Sequence, residues 1–220
     1  MTSGKYSCVL FDLDGTLTDS GRGIINGVRY ALEKFGIQES DQAKLNEFIG
    51  PPLTDSLTQL YGFSEADARK GVVFYREYYG EKGIFENAVY DGIEANLDLL
   101  KGAGVRLFVA TGKPENYMKR VLEHFNLSRF FEFSAGSDEQ ETRLKKHEII
   151  SYLIKTRSLE KQAAAGSVLM IGDRKHDVIG AKTNKIPCAG ALWGYGSAEE
   201  LTASGATFLL KTPNDLASLL

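Results

Sequence analysis

Apolar residues along this chain follow two kinds of pattern. Five short runs, Ser7–Phe11, Arg106–Ala110, Phe131–Ser134, Ser167–Ile171 and Cys188–Leu192, are continuous rather than alternating. Unbroken apolar strands of this length suit a sheet covered on both faces, as in parallel α/β folds. Between them apolar positions recur at helical spacing. Ile93, Leu97, Leu99 and Leu100 predict a helix over Gly92–Gly104 that stops at a glycine. "ENYMKRVLEHFNL" follows the second strand and "KHEIISYLIKT" the third. The alternation predicts a doubly wound, Rossmann-like parallel sheet with right-handed crossovers.

The segment from Gly21 to Asn87 reads differently. "IINGVRYALEKFG", "AKLNEFIG", "LTDSLTQLYG" and "EADARKGVVFYREYYGEKG" are all helical in pattern, with no convincing strand among them. So many helices exceed a normal βα crossover. The expected organisation is therefore an α/β core over 1–20 and 88–220, with a helical cap inserted over 21–87. Exposed loops tolerate such insertions, and two domains create a cleft that suits a small ligand.

Composition narrows the class. The chain has 220 residues, 43% hydrophobic and 25% charged, with a formal net charge of −3. This is the make-up of a globular protein with a sizeable core, and its charge argues against a nucleic-acid polymer as partner. Cys8 and Cys188 show neither metal nor redox spacing and read as small core residues. "MTSGKYSCVL" lacks the apolar stretch of a signal peptide, and no apolar run reaches the roughly 18 residues of a membrane span. The expectation is a cytoplasmic protein with no membrane partner, its oligomeric state, monomer or homodimer, undetermined.

Four of the runs end in a suggestive tail: "DLDG", "TGKPEN", "AGSDE" and "GDRKHD". Ligands of open α/β sheets bind beyond the carboxyl ends of the strands. Asp12, Asp14, Thr111, Asp173 and Asp177 all fall at such ends, and Lys145 or Lys146 can reach the same rim. Carboxylates crowded there require a cation or a proton between them. The set is rich in oxygen, with no cysteine and only His176 nearby, so it favours Mg²⁺ over zinc. A threonine hydroxyl, backbone N–H groups and an ammonium would complete a cradle for a phosphoryl group.

"DLDGT" at Asp12–Thr16, "VATGKPE" at Val109–Glu115, Lys146 and "GDRKHD" at Gly172–Asp177 resemble the four motifs of haloacid dehalogenase-superfamily phosphatases. The resemblance covers the whole chain, and four motifs in order are far more specific than any one. "DSGRGIINGVRYALEKFG", "IGPPL" and "LWGYGSAEEL" are similar to the phosphoglycolate phosphatase-like branch. By position, the resemblance implies Asp12 as nucleophile through an aspartyl-phosphate. It implies Asp14 as the acid and base, and Thr111, Gly112 and Lys146 as contacts of the phosphoryl group. Mg²⁺ would be held by Asp12, the backbone carbonyl of Asp14 and Asp173, supported by Asp177. The third motif departs from the Lys-Pro of many relatives. In "TRLKKHEII" spacing to Ile149 and Ile150 favours Lys146, with Lys145 the alternative. Arg22 and Arg174 are secondary candidates for substrate contact, and Arg22 stands where many relatives carry proline.

Plainer readings stand beside these. Thr111 would cap a helix beginning near Lys113–Pro114, and Lys145 and Lys146 would otherwise be a solvated helix face. Gly50-Pro51-Pro52 reads as a rigid break between cap helices, which in relatives faces the active site. The aromatics of Phe74–Gly80 and Trp193 read as packing. The function expected is a Mg²⁺-dependent phosphatase acting on a small phosphorylated metabolite, phosphoglycolate-like or a nucleoside monophosphate. The alternatives are a phosphomutase or, further off, a non-catalytic phosphate-binding regulator. Asp14 and Asp173 count against a dehalogenase, which needs neither Mg²⁺ nor an acid.

Overall fold

The computed structural model describes residues 5–138 and 142–220. Glu139, in the tail after the third predicted strand, lies outside the described residues. By internal contacts the chain forms two compact units, one of Met1–Thr18 with Val89–Leu220 and one of Asp19–Ala88.

The first unit is built on six parallel strands: β1 (Cys8–Phe11), β4 (Arg106–Pro114), β5 (Phe133–Ser137), β6 (Val168–Gly172), β7 (Cys188–Ala191) and β8 (Phe208–Leu210). Two short strands, β2 (Thr18–Asp19) and β3 (Ala88–Val89), pair as a separate ribbon where the chain passes between the units. The sheet order is β5-β4-β1-β6-β7-β8. The fold is thus the doubly wound α/β class that the apolar pattern predicts. β1 lies at the point where the winding reverses, paired in register with β4 on one side and β6 on the other. All four of its residues are fully buried, and each large one contributes about 1.5–3 kcal/mol relative to exposure.

Around the sheet run α5 (Ile93–Gly102), α6 (Glu115–His124), α7 (Lys146–Thr156), α8 (Glu160–Ala164), α9 (Lys175–Thr183) and α10 (Ala198–Ser204). On α7, Ile149, Ile150, Leu153 and Ile154 pack with Leu10, Phe108 and Met170 of the sheet in one buried cluster. On α5, Ile93, Leu97 and Leu100 are buried as predicted, but Leu99 faces out at 46% exposure. Residues 97 and 99 lie some 200° apart on a helix, so they cannot share a buried face.

Several boundaries differ from expectation. β4 continues four residues beyond Ala110, with its register to β5 shifting between Ala110 and Pro114. The following helix accordingly starts at Glu115, and Thr111 does not cap it; the N-cap is Pro114, without a side-chain bond. β5 starts two residues later than Phe131 and runs on through Ser137. Gly136 permits this, because a Cβ there would come within 2.4 Å of the Lys113 carbonyl oxygen. β8 is a sixth strand with no predicted counterpart.

The second unit holds α1 (Gly21–Glu33), α2 (Gln42–Asn46), α3 (Leu53–Tyr61) and α4 (Glu65–Glu81). Gly27 of α1 leaves room for Tyr75 of α4, and Gly71 of α4 leaves room for Leu57 of α3, so α4 packs closely against both helices. Asp41 caps α2 and Ser64 caps α4. Pro52 is the N-cap of α3, so the Gly50-Pro51-Pro52 break sets where that helix begins. Phe35 meets Phe63 in a tilted contact and Phe74 edge-on, all three half-buried, and Tyr79 is buried, so these aromatics serve packing.

Candidate active site

The site grows from the carboxyl ends of three adjacent strands. After β1, the Asp12 amide donates to the Ile171 carbonyl at 2.9 Å, extending the β1–β6 ladder by one rung. The chain then turns over buried Leu13, whose carbonyl accepts from the amides of Thr16, Leu17 and Thr18. Gly15 takes φ +80° in this turn, a conformation that costs an L side chain energy but not glycine. A Cβ on Gly15 would also sit 2.2 Å from Asp173 Oδ2. Two independent constraints therefore require glycine in "DLDG".

Asp12, Asp173 and Asp177 converge, with one carboxylate oxygen from each within 4.8 Å of the others. Asp173 and Asp177 are buried, and the Asp12 side chain is 13% exposed. Lys146, on the first turn of α7, reaches into this group. Its Nζ lies 2.8 Å from Asp12 Oδ1 and 2.7 Å from Asp177 Oδ1, and donates to the Ala110 carbonyl at 3.0 Å. Lys145 is exposed one residue earlier, outside the helix. Of the two lysines left open by the sequence, Lys146 is the one at the site.

Asp173 is held by Thr16 Oγ1 on one oxygen (3.1 Å) and by the Tyr195 amide on the other (2.9 Å). Its surroundings are pared to backbone. A Cβ on Gly194 would lie 2.4 Å from the Asp173 Cβ, and one on Gly196 1.9 Å from its carbonyl oxygen. The Trp193 indole N–H donates to the Thr16 carbonyl at 3.0 Å and so fastens this loop to the turn after β1. Asp177 also accepts from the Arg174 amide at 3.1 Å, closing the first turn of α9.

Burial pushes Asp12 up to about 6, with Lys146 pulling it down and Asp177 pushing it further up. Burial, Asp177 and Asp12 together hold Asp173 well above the usual carboxylate range. Burial opposes the charge of Lys146, but Asp12 and Asp177 outweigh it and raise its pKa. The one ammonium compensates only part of three carboxylates. The donor set is all oxygen, buried and short of positive charge, which fits a hard divalent cation. His176 is not part of the cluster. Burial, Arg174, Lys175 and Lys146 depress its pKa, so the imidazole is neutral near pH 7.

The other expected residues have partners of their own. Thr111 is buried and hydrogen-bonds Asp12, while its Oγ1 accepts from the Lys113 amide at 3.2 Å. Gly112 points the open way, with nothing within 4 Å of where a Cβ would stand. The Asp14 carboxylate is not in the three-aspartate cluster. It is gripped instead by Lys113, whose Nζ lies 2.9 and 2.8 Å from its two oxygens. Arg174 pairs through Nε with Glu200 Oε1 at 3.0 Å, which draws its charge toward α10. Arg22 is exposed on α1 in the helical unit, where its charge acts on Tyr78.

Lys113 is the residue that sequence reasoning missed. Its signal was alternation: if β4 runs through "ATGKP", Thr111 and Lys113 share a face, and both are buried while Gly112 is exposed.

The haloacid dehalogenase-like hydrolase family model matches residues 9–191, and the chain belongs to that family. A 5'-nucleotidase of Pseudomonas aeruginosa is 44% identical over 98% of this chain and 94% of its own length. The tyrosine-protein kinase PtkA of Mycobacterium tuberculosis is 38% identical over 90% of this chain and 66% of its own. Among solved structures, a predicted phosphatase from Clostridium acetobutylicum superposes with a TM-score of 0.91 at 44% identity, covering 97% of both chains. The protein is an enzyme of this family's phosphatase type. No helix among the described residues is long and apolar enough to cross a membrane.

Proposed function

We propose that the chain is a Mg²⁺-dependent phosphatase that hydrolyses a small phosphate monoester through an aspartyl-phosphate on Asp12. The observation that carries this reading is the contact between Asp12 Oδ1 and the Lys146 ammonium at 2.8 Å, beside Asp173 and Asp177. One carboxylate is thereby oriented and partly neutralised while its neighbours form an oxygen-lined seat for a cation.

Asp12, Asp173 and the carbonyl of Asp14 would hold the ion, with Asp177 supporting them; bound there, it would offset the repulsion between Asp12 and an incoming phosphate dianion. A free carboxylate oxygen of Asp12 attacks phosphorus as the ester P–O bond breaks. Asp14, which enters this step protonated with one oxygen released from the Lys113 ammonium, gives its proton to the departing alkoxide oxygen. In the second half Asp14, now a carboxylate, takes a proton from water. The resulting hydroxide attacks phosphorus, releasing inorganic phosphate and restoring Asp12. Thr111 and the Gly112 amide bind phosphoryl oxygens, and Lys146 stabilises the charge that gathers on them.

The name of the 5'-nucleotidase relative supports a nucleoside 5'-monophosphate as the ester. The residues on the sheet rim address only the phosphoryl group. The test is phosphate release from nucleoside monophosphates, phosphoglycolate and sugar phosphates, ranked by kcat/KM. Release of inorganic phosphate, abolished by chelation and restored by Mg²⁺, is expected. Isomerisation of a sugar phosphate without net release would show a phosphomutase instead.

A further inference from the structure

We propose that Lys113 is the positioning residue for Asp14, fixing the carboxylate that exchanges a proton with the leaving oxygen. The inference rests on the proton-transfer role proposed above for Asp14.

The ion pair is well shielded from solvent. The lysine side chain is 5% exposed and that of Asp14 19%, with Nζ within 2.9 Å of both oxygens. Lysine is almost never buried to this degree without a charged partner. Two of its three donors are spent on one carboxylate, so the aspartate is held in one rotamer.

The backbone that delivers Lys113 is itself constrained. Its amide is tied to Thr111 Oγ1, its carbonyl lies against the bare Cα of Gly136, and β4 changes register at this place. The continuation of β4 past Ala110 thus has a chemical result: strand alternation sets a lysine on the buried side two residues beyond Thr111.

The two lysines also divide the two aspartates of "DLD". Lys146 serves Asp12 and Asp177, and Lys113 serves Asp14. Asp14 is thereby compensated apart from the three-carboxylate cluster, and its side chain is kept for proton transfer.

The experiment compares two esters that wild type hydrolyses. p-Nitrophenyl phosphate has a leaving group that departs without protonation, and an alkyl phosphate has one that does not. kcat/KM reports the phosphoryl-transfer step, so it isolates the leaving-group proton. Lys113→Met should lose about 10²-fold on the alkyl ester and only about threefold on the aryl ester, within the range of a lost general acid. Asp14→Asn should show the same selectivity, and the double variant should be no worse than Asp14→Asn alone. Inhibition by inorganic phosphate should stay within about twofold of wild type, and Lys113→Arg should recover part of the alkyl rate.

An equal loss on both esters with weakened phosphate inhibition would make Lys113 a phosphoryl ligand and overturn the proposal. An equal loss with unchanged inhibition, or additivity in the double variant, would reduce it to a structural contact, again overturning it. If Asp14→Asn shows no ester selectivity, the proton-transfer reading of Asp14 itself falls, and the role of Lys113 with it.

Discussion

At the carboxyl edge of the sheet, three aspartates bring carboxylate oxygens within 4.8 Å of one another, with one lysine paired to two of them. In the helical unit, Glu39 stands among donors instead: the Asp41 amide at 2.9 Å, the Tyr61 hydroxyl at 2.7 Å and Lys44 at 3.4 Å. The consequences run in opposite directions. Burial lifts Asp12 to about 6, whereas the Asp41 amide and the Tyr61 hydroxyl lower Glu39 to about 2. A carboxylate that fastens a loop is surrounded by what it needs. A carboxylate kept for chemistry is left short, and the shortfall is what a cation and a phosphoryl group can supply.

Removing the central charge tests this contrast most severely. Asp12→Asn should cut turnover by about 10⁴-fold or more, while the metal-free variant melts no lower than metal-free wild type. Retained turnover, with deamidation excluded, would sink the nucleophile assignment. Lys146→Met acts on the other partner. It leaves Asp12 and Asp177 without their shared counter-charge and should cost about 3–5 kcal/mol in urea unfolding of the chelated protein. A cost near zero would mean that the carboxylates are compensated by groups other than this lysine.

Saturating Mg²⁺ should then stabilise chelated wild type, by about 2.7 kcal/mol at a hundredfold excess over Kd. Asp173→Asn should abolish that gain. An unchanged Tm on adding Mg²⁺ would remove the metal reading, whatever the activity does.

The smallest effect is a difference of slopes with pH in the metal-free protein. Asp12 has a folded pKa of about 6 against an ordinary 3.8, so between these values the folded state holds more protons than the unfolded. Its contribution therefore falls as pH rises from about 4 to 6. Glu39 has a folded pKa of about 2 against 4.5. Its stabilisation is present above 4.5 and is lost as pH falls towards 2. Asp12→Asn should flatten the upper window and Glu39→Gln the lower one, each read from urea midpoints across pH. Interchanged effects would break the comparison.

Continuous apolar runs revealed five of the six sheet strands because β1, β6 and β7 are buried on both faces and need no alternation. β8 escaped because Phe208–Leu210 is a three-residue edge strand, paired only with β7. The far end of β5 escaped because Ala135, Gly136 and Ser137 have little strand character of their own; pairing to the extended β4 makes them a strand. Asp12, Thr111, Lys146, Asp173 and Asp177 were legible because strand ends in such a sheet meet at one edge. The partner of Asp14 was not. Pro114 made "GKP" look like the start of a helix, and only the actual length of β4 turns Lys113 inward.

The glycines around Asp173 have a practical consequence for anyone altering this protein. Gly15, Gly194 and Gly196 carry no reactive atom, yet a methyl group at any of them would occupy space already taken by Asp173 or its backbone. A library that randomised the segment after β7 would return inactive clones resembling defects in the acidic cluster, though every acidic residue remained. Screening at those positions would explore displacement of Asp173 rather than new chemistry. Variation meant to change what the enzyme accepts belongs elsewhere in the chain.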